Sequence, residues 1–235
     1  MALYFIKYTK EDIIKFVGHL DLLRAIQRNI TRADLNIAYS HGFNPHMQMS
    51  IGQPLPVGVK SSGEYMTCTL DTAKTEGEIL TALNQTAPSG IRYLFVKKVP
   101  DAMKTPMALL RGVKSRILIP SDEARFQTIM EVMDDSLPMM YAATSKKGVE
   151  SEKDLRPLIV SHEIARRESV TELTLVTKAG SKAHLSLNHL LDYLDQVTGG
   201  LDKNRFISVE RLEMYTEVEG QLVAMDDYAR ENHGN

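Results

Sequence analysis

The sequence predicts an α+β fold of two tandem ferredoxin-like units, each an antiparallel sheet with its helices packed on one face. Three observations support this. Strand and helix patterns follow one another in the order strand, helix, strands, helix, strand, and the order is met twice along the chain. A stretch punctuated by Pro100, Pro106 and Gly112 separates the two runs. With 235 residues, 43% of them hydrophobic, there is enough apolar material for two buried cores.

The first unit, residues 1–99, opens with Leu3–Tyr8, which alternates like a strand. From His19 onward Leu20, Leu23, Ile26 and Ile30 recur at helical spacing, and Arg24, Arg28 and Arg32, at four-residue intervals, line one face of that helix. Leu35–Tyr39, Met47–Ile51 and Glu64–Leu70 alternate as strands, Glu76–Asn84 is helical, and Ile91–Val99 closes the unit as a strand. Pro100–Gly112 reads as a linker. The second unit, residues 113–235, repeats the order without repeating the sequence. Val113–Ile119 is a strand, and Ser121, before Asp122 and Glu123, is placed to start a helix running to about Met133. Met139–Thr144, Leu158–Ala165 and Leu173–Thr177 are strands, Asn188–Val197 a helix and Phe206–Met214 a last strand. The segment Lys146-Lys147-Gly148 reads as a solvated loop, Asp154 and Arg156 as a pair ahead of Pro157, and the polar stretch from Asp226 to Asn235 as a fraying tail.

Composition narrows the function classes. No apolar run approaches the roughly 20 residues needed to cross a bilayer, and Met1–Lys7 alternates like a strand rather than a signal leader, so a cytoplasmic chain with no membrane association is expected. Cys68 is the single cysteine; it cannot form an internal disulfide or supply the three thiolates of an iron–sulfur cluster, and its alternating surroundings read as a buried structural thiol. Net charge is −2, yet residues 1–120 hold 15 Lys+Arg against 9 Asp+Glu, while residues 121–235 hold 13 against 21. A positive first half facing phosphates explains this asymmetry, and so does ion pairing between the halves.

Candidate chemistry gathers in Gly18–Arg24 and Tyr39–His46. Asp21 and Arg24, three apart on a helix, can pair, and His19 stands at the helix start. One reading is simple termination of the helix, with Asp21 at its positive end. The other is an anion site made by His19, the helix N-terminus and the arginine row. The long crossing 40–63, strung with Gly42, Asn44, Pro45, Pro54, Pro56, Gly58 and Gly63, has the length of a binding loop. Phe43 can stack on a base while Asn44 reads its edge, as in single-stranded RNA binders, or it can plug the loop into the core. For RNA the candidate contacts are Arg24, Arg28, Arg32, Tyr39, Phe43, Asn44, His46 and Lys60, the arginine row and the crossing converging on an exposed cationic recess. His19, Asp21 and His46 are the candidate acid–base groups if the chain is itself an enzyme. His19, Asp21, His41 and His46 lack the spacing of a metal signature, so neither a metal nor a cofactor is expected.

The runs Phe16–Arg24 and Ala38–His46, then Leu55-Pro56-Val57-Gly58 with Ser61 and Gly63-Glu64-Tyr65, resemble the bacterial radical SAM-linked protein family, and Asp154-Leu155-Arg156-Pro157 is similar to a second landmark of it. The resemblance is dense over residues 1–95. It departs at Val17-Gly18, where that family commonly carries Ile-Ser before the histidine. The family's domain occurs alone or joined to a cobalamin-binding radical SAM protein. The resemblance therefore implies a radical SAM protein as partner, and the charge pattern adds RNA, transfer or ribosomal, as the substrate presented. The alternatives are an RNA-modifying or RNA-cleaving enzyme in its own right, and a protein-interaction module whose acidic half docks a partner.

Overall fold

Strand β1 (Ala2–Lys10) is buried on both faces because it lies in the middle of its sheet. Ala2, Tyr4, Ile6 and Tyr8 join the core beneath the helices, while Phe5 stacks at a tilt on Tyr65 on the other face. The computed structural model describes residues 1–134, 136–144, 150–201 and 207–231. They divide into two compact units, Met1–Gly112 with Glu210–Asn235, and Val113–Val209. Residues 210–231, which the order of elements alone counts with the second unit, pack in the first.

In the first unit β1 is followed by α1 (His19–Arg32), β2 (Met49–Ile51), β3 (Lys60–Leu70), α2 (Glu76–Thr86), β4 (Tyr93–Val99) and the short α3 (Pro106–Leu109). The strands order as β4-β1-β3-β2, every neighbouring pair antiparallel, which is the ferredoxin-like arrangement. Thr75 and Glu78 start α2 with a reciprocal capping box.

The buried stripe of α1 is Leu22, Ile26, Asn29 and Ile30 rather than one beginning at Leu20, which is 63% exposed. Asn29, a polar residue, completes the stripe because it is fully hydrogen-bonded, and apolar spacing alone could not register it. Leu35–Tyr39 is not a strand but meets its neighbours through two isolated bridges, Ile37 with Leu70 and Tyr39 with Met47. The left-handed backbone at Asp34 turns the chain just before it. The stretch 100–112 is not a loose linker either. Thr105 caps α3, Pro106 occupies its first turn, and Met103, Leu109 and Leu110 are buried.

The second unit comprises β5 (Gly112–Pro120), α4 (Glu123–Val132), the hairpin β6 (Met140–Thr144) and β7 (Glu150–Asp154), then β8 (Ile159–Arg167), β9 (Val170–Lys178) and α5 (Leu187–Val197). Its sheet runs β5-β9-β8, β8 and β9 being antiparallel, which is the ferredoxin-like βαββα order with a hairpin inserted. Asp122, one residue beyond Ser121, caps α4 by accepting the Arg125 N–H. Ser121 instead turns inward to hydrogen-bond Thr171 at 2.6 Å. The pair expected of Asp154 and Arg156 has a definite form. Asp154 accepts the backbone N–H of Arg156 and of Met139, and the Arg156 guanidinium donates to the Val132 and Met133 carbonyls at the end of α4 and to the Leu137 carbonyl beyond it. The Lys146-Lys147-Gly148 loop and Phe206 lie outside the described residues.

The chain then returns to the first unit as β10 (Ser208–Val218), β11 (Gln221–Ala224) and α6 (Met225–Arg230). Residues 226–230 are therefore helix, not tail. β10 pairs parallel with the start of β3, Glu210 and Arg211 opposite Lys60 and Ser61, and antiparallel with β11. The approach is close enough that a Cβ on Gly63 would stand 2.5 Å from the Leu212 carbonyl oxygen, so only glycine fits there.

Candidate functional site

The hairpin within 39–47 is the most exposed of the predicted elements. Its base is pinned by the Tyr39–Met47 bridge and by two hydrogen bonds between Ser40 and His46. The Ser40 N–H donates to the His46 carbonyl at 2.8 Å, and the His46 N–H donates to Ser40 Oγ at 3.0 Å. Gly42, at φ +130°, lets the tip turn. Phe43 projects from that tip wholly into solvent, 106% exposed, so it does not plug the core. His41, Asn44 and His46 are exposed beside it.

The helix residues fare differently. Gly18 is the N-cap of α1 and supplies no side-chain cap. His19 is half-buried at the first helical position. Asp21 and Arg24 pair at 3.0 Å, both exposed, an arrangement worth a few tenths of a kcal/mol. Arg32 donates to the Thr86 carbonyl at the end of α2, a cap rather than a free cation. Arg28 is exposed. Lys60 sits 3.9 Å from Glu210. Among the described residues no hydrogen bond or ion pair joins His19, Asp21 and His46, and no three His, Cys, Asp or Glu are grouped to hold a metal ion.

A recess of about 410 Å³ opens beside Tyr39, lined also by Thr31, Asp34, Leu35, Asn36, Ile37 and Asp71. Its ionisable side chains besides Tyr39 are two carboxylates, so this recess is acidic and not the cationic one expected. The surplus of positive charge in the first 120 residues is also partly consumed. Lys7 pairs with Glu213 at 2.5 Å and Asp226 at 3.2 Å, and Lys60 pairs with Glu210. The acids of the last segment thus neutralise lysines of the first within one unit.

Two polar clusters that the sequence reading missed flank β1 and β3. On the face away from the helices, the Tyr65 hydroxyl lies 2.6 Å from Glu213 and 3.0 Å from Asp226, the two carboxylates that also hold Lys7. Burial, with Glu213 and then Asp226 adding negative charge, pushes the Tyr65 hydroxyl far above its ordinary range. On the helix face, Glu64, 2% exposed, is bound through both oxygens by Arg211 Nη1 at 2.9 and 3.1 Å, and the same nitrogen donates to the Gln53 carbonyl. Tyr8 faces Glu64 across the β1–β3 register, and its hydroxyl, fully buried, has no hydrogen-bond partner among the described residues. Lys10 is 1% exposed and donates to the Lys15 carbonyl at 3.0 Å. Burial lowers its ammonium pKa; Glu64 acts the other way and Arg211 adds to the lowering. No local motif announces this cluster, because its members come from three strands far apart in the chain.

The model of a bacterial family described as an uncharacterized protein conserved in bacteria (DUF2344) matches residues 4–186, well over half of the chain. The chain belongs to this family. No curated protein matches its sequence. Among solved structures, a chain of a Cbf5–Nop10–Gar1 complex is similar at a TM-score of 0.48 and 10% identity over 92% of this DUF2344 chain, which spans only 50% of that one. An unknown protein from Galdieria sulphuraria is similar at a TM-score of 0.26 and 12% identity, with 89% of this chain and 98% of that one covered. Likenesses this remote carry no functional argument. The ferredoxin-like assignment rests on strand order and register.

Proposed function

We propose that this DUF2344 protein is an RNA-binding accessory domain that uses the 39–47 hairpin to hold an unpaired base and presents its substrate to a partner radical SAM enzyme. The observation that carries the reading is Phe43, a fully exposed aromatic ring on a hairpin held at its base by three backbone or Ser40 contacts. A ring held wholly in solvent has both faces free to stack on an unpaired base. The Asn44 amide stands next to it in the chain with donor and acceptor to read a base edge, and exposed Arg28 offers a phosphate contact. The radical SAM partner rests on the motif resemblance, and the RNA on the hairpin rather than on net charge.

The test is fluorescence anisotropy with labelled single-stranded oligoribonucleotides at 50 and 200 mM salt. Phe43→Ala is expected to weaken binding by about 5- to 100-fold, the range of one lost stacking contact. Arg28→Ala is expected to reduce the salt slope by about one. Absence of binding at 50 mM salt, or wild-type affinity in both variants, overturns the reading.

A second reading is supported by a separate observation. Ile13, Phe16, Leu20 and Val57 are 62–75% exposed around the start of α1, where Phe16 lies against Gly58, and such apolar groups suit a protein partner. If RNA fails to bind, this surface makes the chain a protein-interaction module.

A further inference from the structure

We propose that Tyr8, Lys10 and Arg211 form a binding site for a small oxyanion, the phosphate or carboxylate group of a small molecule, next to Glu64. This site is independent of the hairpin and goes beyond the RNA reading.

Three features support it. The first is charge. Lys10, Arg211 and Glu64 are each under 9% exposed, and together they carry one positive charge more than they neutralise. A buried uncompensated cation is costly, and a bound anion removes the cost. The second is hydrogen-bonding capacity. The hydrogen bonds that Arg211 makes among the described residues all leave from Nη1, so Nη2 and Nε of its fork are available. Among the described residues Lys10 uses one of its three donors, on the Lys15 carbonyl. The Tyr8 hydroxyl, wholly buried, uses none. Such a surplus of donors around one carboxylate suits an acceptor-only ligand, and a guanidinium fork is the group best matched to a phosphate or carboxylate. The third is the roof. The Gly58 N–H and the Lys10 ammonium share the Lys15 carbonyl, and the Gln53 carbonyl caps Arg211, so the crossing 52–59 and the segment after β1 close over the cluster, with Leu55 and Val59 buried in the crossing.

The experiment is isothermal titration of the full chain with inorganic phosphate and, separately, with acetate, beside thermal melts in each anion. Saturable one-site binding of either, with a matching rise in melting temperature, is expected, and whichever binds more tightly identifies the group. Tyr8→Phe removes only a hydroxyl without a partner, so it is expected to fold with unchanged or raised stability in anion-free buffer and to bind about 5- to 10-fold more weakly. Lys10→Met is expected to lose binding. No saturable heat with either anion up to 50 mM, or wild-type binding by folded Tyr8→Phe, overturns the proposal. Neither result bears on RNA affinity, which Phe43→Ala reads separately.

Discussion

At the residue scale, Asn29 shows how a polar side chain earns a place in a core. Its amide nitrogen donates to the Leu83 carbonyl at 3.1 Å and to Thr86 Oγ1 at 2.8 Å, and its oxygen accepts the Tyr93 hydroxyl at 3.0 Å. One side chain thereby ties α1 to the end of α2 and to β4. Asn29→Ala leaves the Tyr93 hydroxyl buried without an acceptor, so it is expected to cost about 2–3 kcal/mol in urea unfolding, and Tyr93→Phe in the same background to cost little more. Full additivity of the two losses would contradict this coupling. Cys68 illustrates the opposite case. Burial alone pushes its thiol up to about 12, which fits the structural role that its alternating neighbours suggested. Phe43 could not be decided in this way, since a lone aromatic beside Asn-Pro in a loop reads equally as plug or platform. Only the hydrogen bonds closing the hairpin turn it outward.

At the scale of elements, the sequence was most legible where period and punctuation agreed. Glu76 to Asn84 shows a helical pattern behind Thr75, and the helix forms there with Thr75 accepting the Glu78 N–H and Glu78 accepting the Thr75 N–H. Thr75→Ala is expected to lower stability by about 1 kcal/mol, measured as a shift in urea midpoint with no change in slope. A loss under 0.3 kcal/mol would mean that solvent replaces the cap. The Thr75 hydroxyl and backbone N–H hold the Glu78 carboxyl below its usual range, which marks the cap as ionised and formed at neutral pH. Legibility failed where the stabilising partner is remote. The arginine row was visible at four-residue spacing, but nothing in the spacing says that Arg32 ends on an α2 carbonyl 54 residues on. The apolar stripe of α1 was misread by two residues at its start because Asn29 does not look like a core residue.

For the whole molecule, the acids of the last segment decide how charge is balanced. Burial alone would raise the Asp226 carboxyl, but Lys7 and the Tyr65 hydroxyl, with Arg230 beside them, outweigh it and hold the group below its ordinary range. A carboxylate lowered in the folded state contributes stability above its unfolded pKa of about 3.9 and loses it as pH falls through the lower folded value. The urea midpoint is therefore expected to fall below about pH 4, and more steeply in the wild type than in Asp226→Asn. Parallel profiles for the two proteins would show that Asp226 does not couple to folding. The two ferredoxin-like orders could be read from strand and helix alternation, but the packing of the residues after Glu210 with Met1–Gly112 could not. A strand that closes one sheet has the same alternation as a strand that closes the other, and only remote partners, Glu64 for Arg211 and Lys7 for Glu213, show that β10 packs in the first unit from Glu210 on.

That assignment has a consequence for biosynthesis. The opening hundred residues leave the ribosome long before Arg211 and Glu213 do, so nascent Glu64 and Lys7 wait for their counter-charges through the synthesis of the whole intervening unit. A message cut short before codon 210 would yield a polypeptide with those ionised groups orphaned, a natural substrate for quality-control proteases.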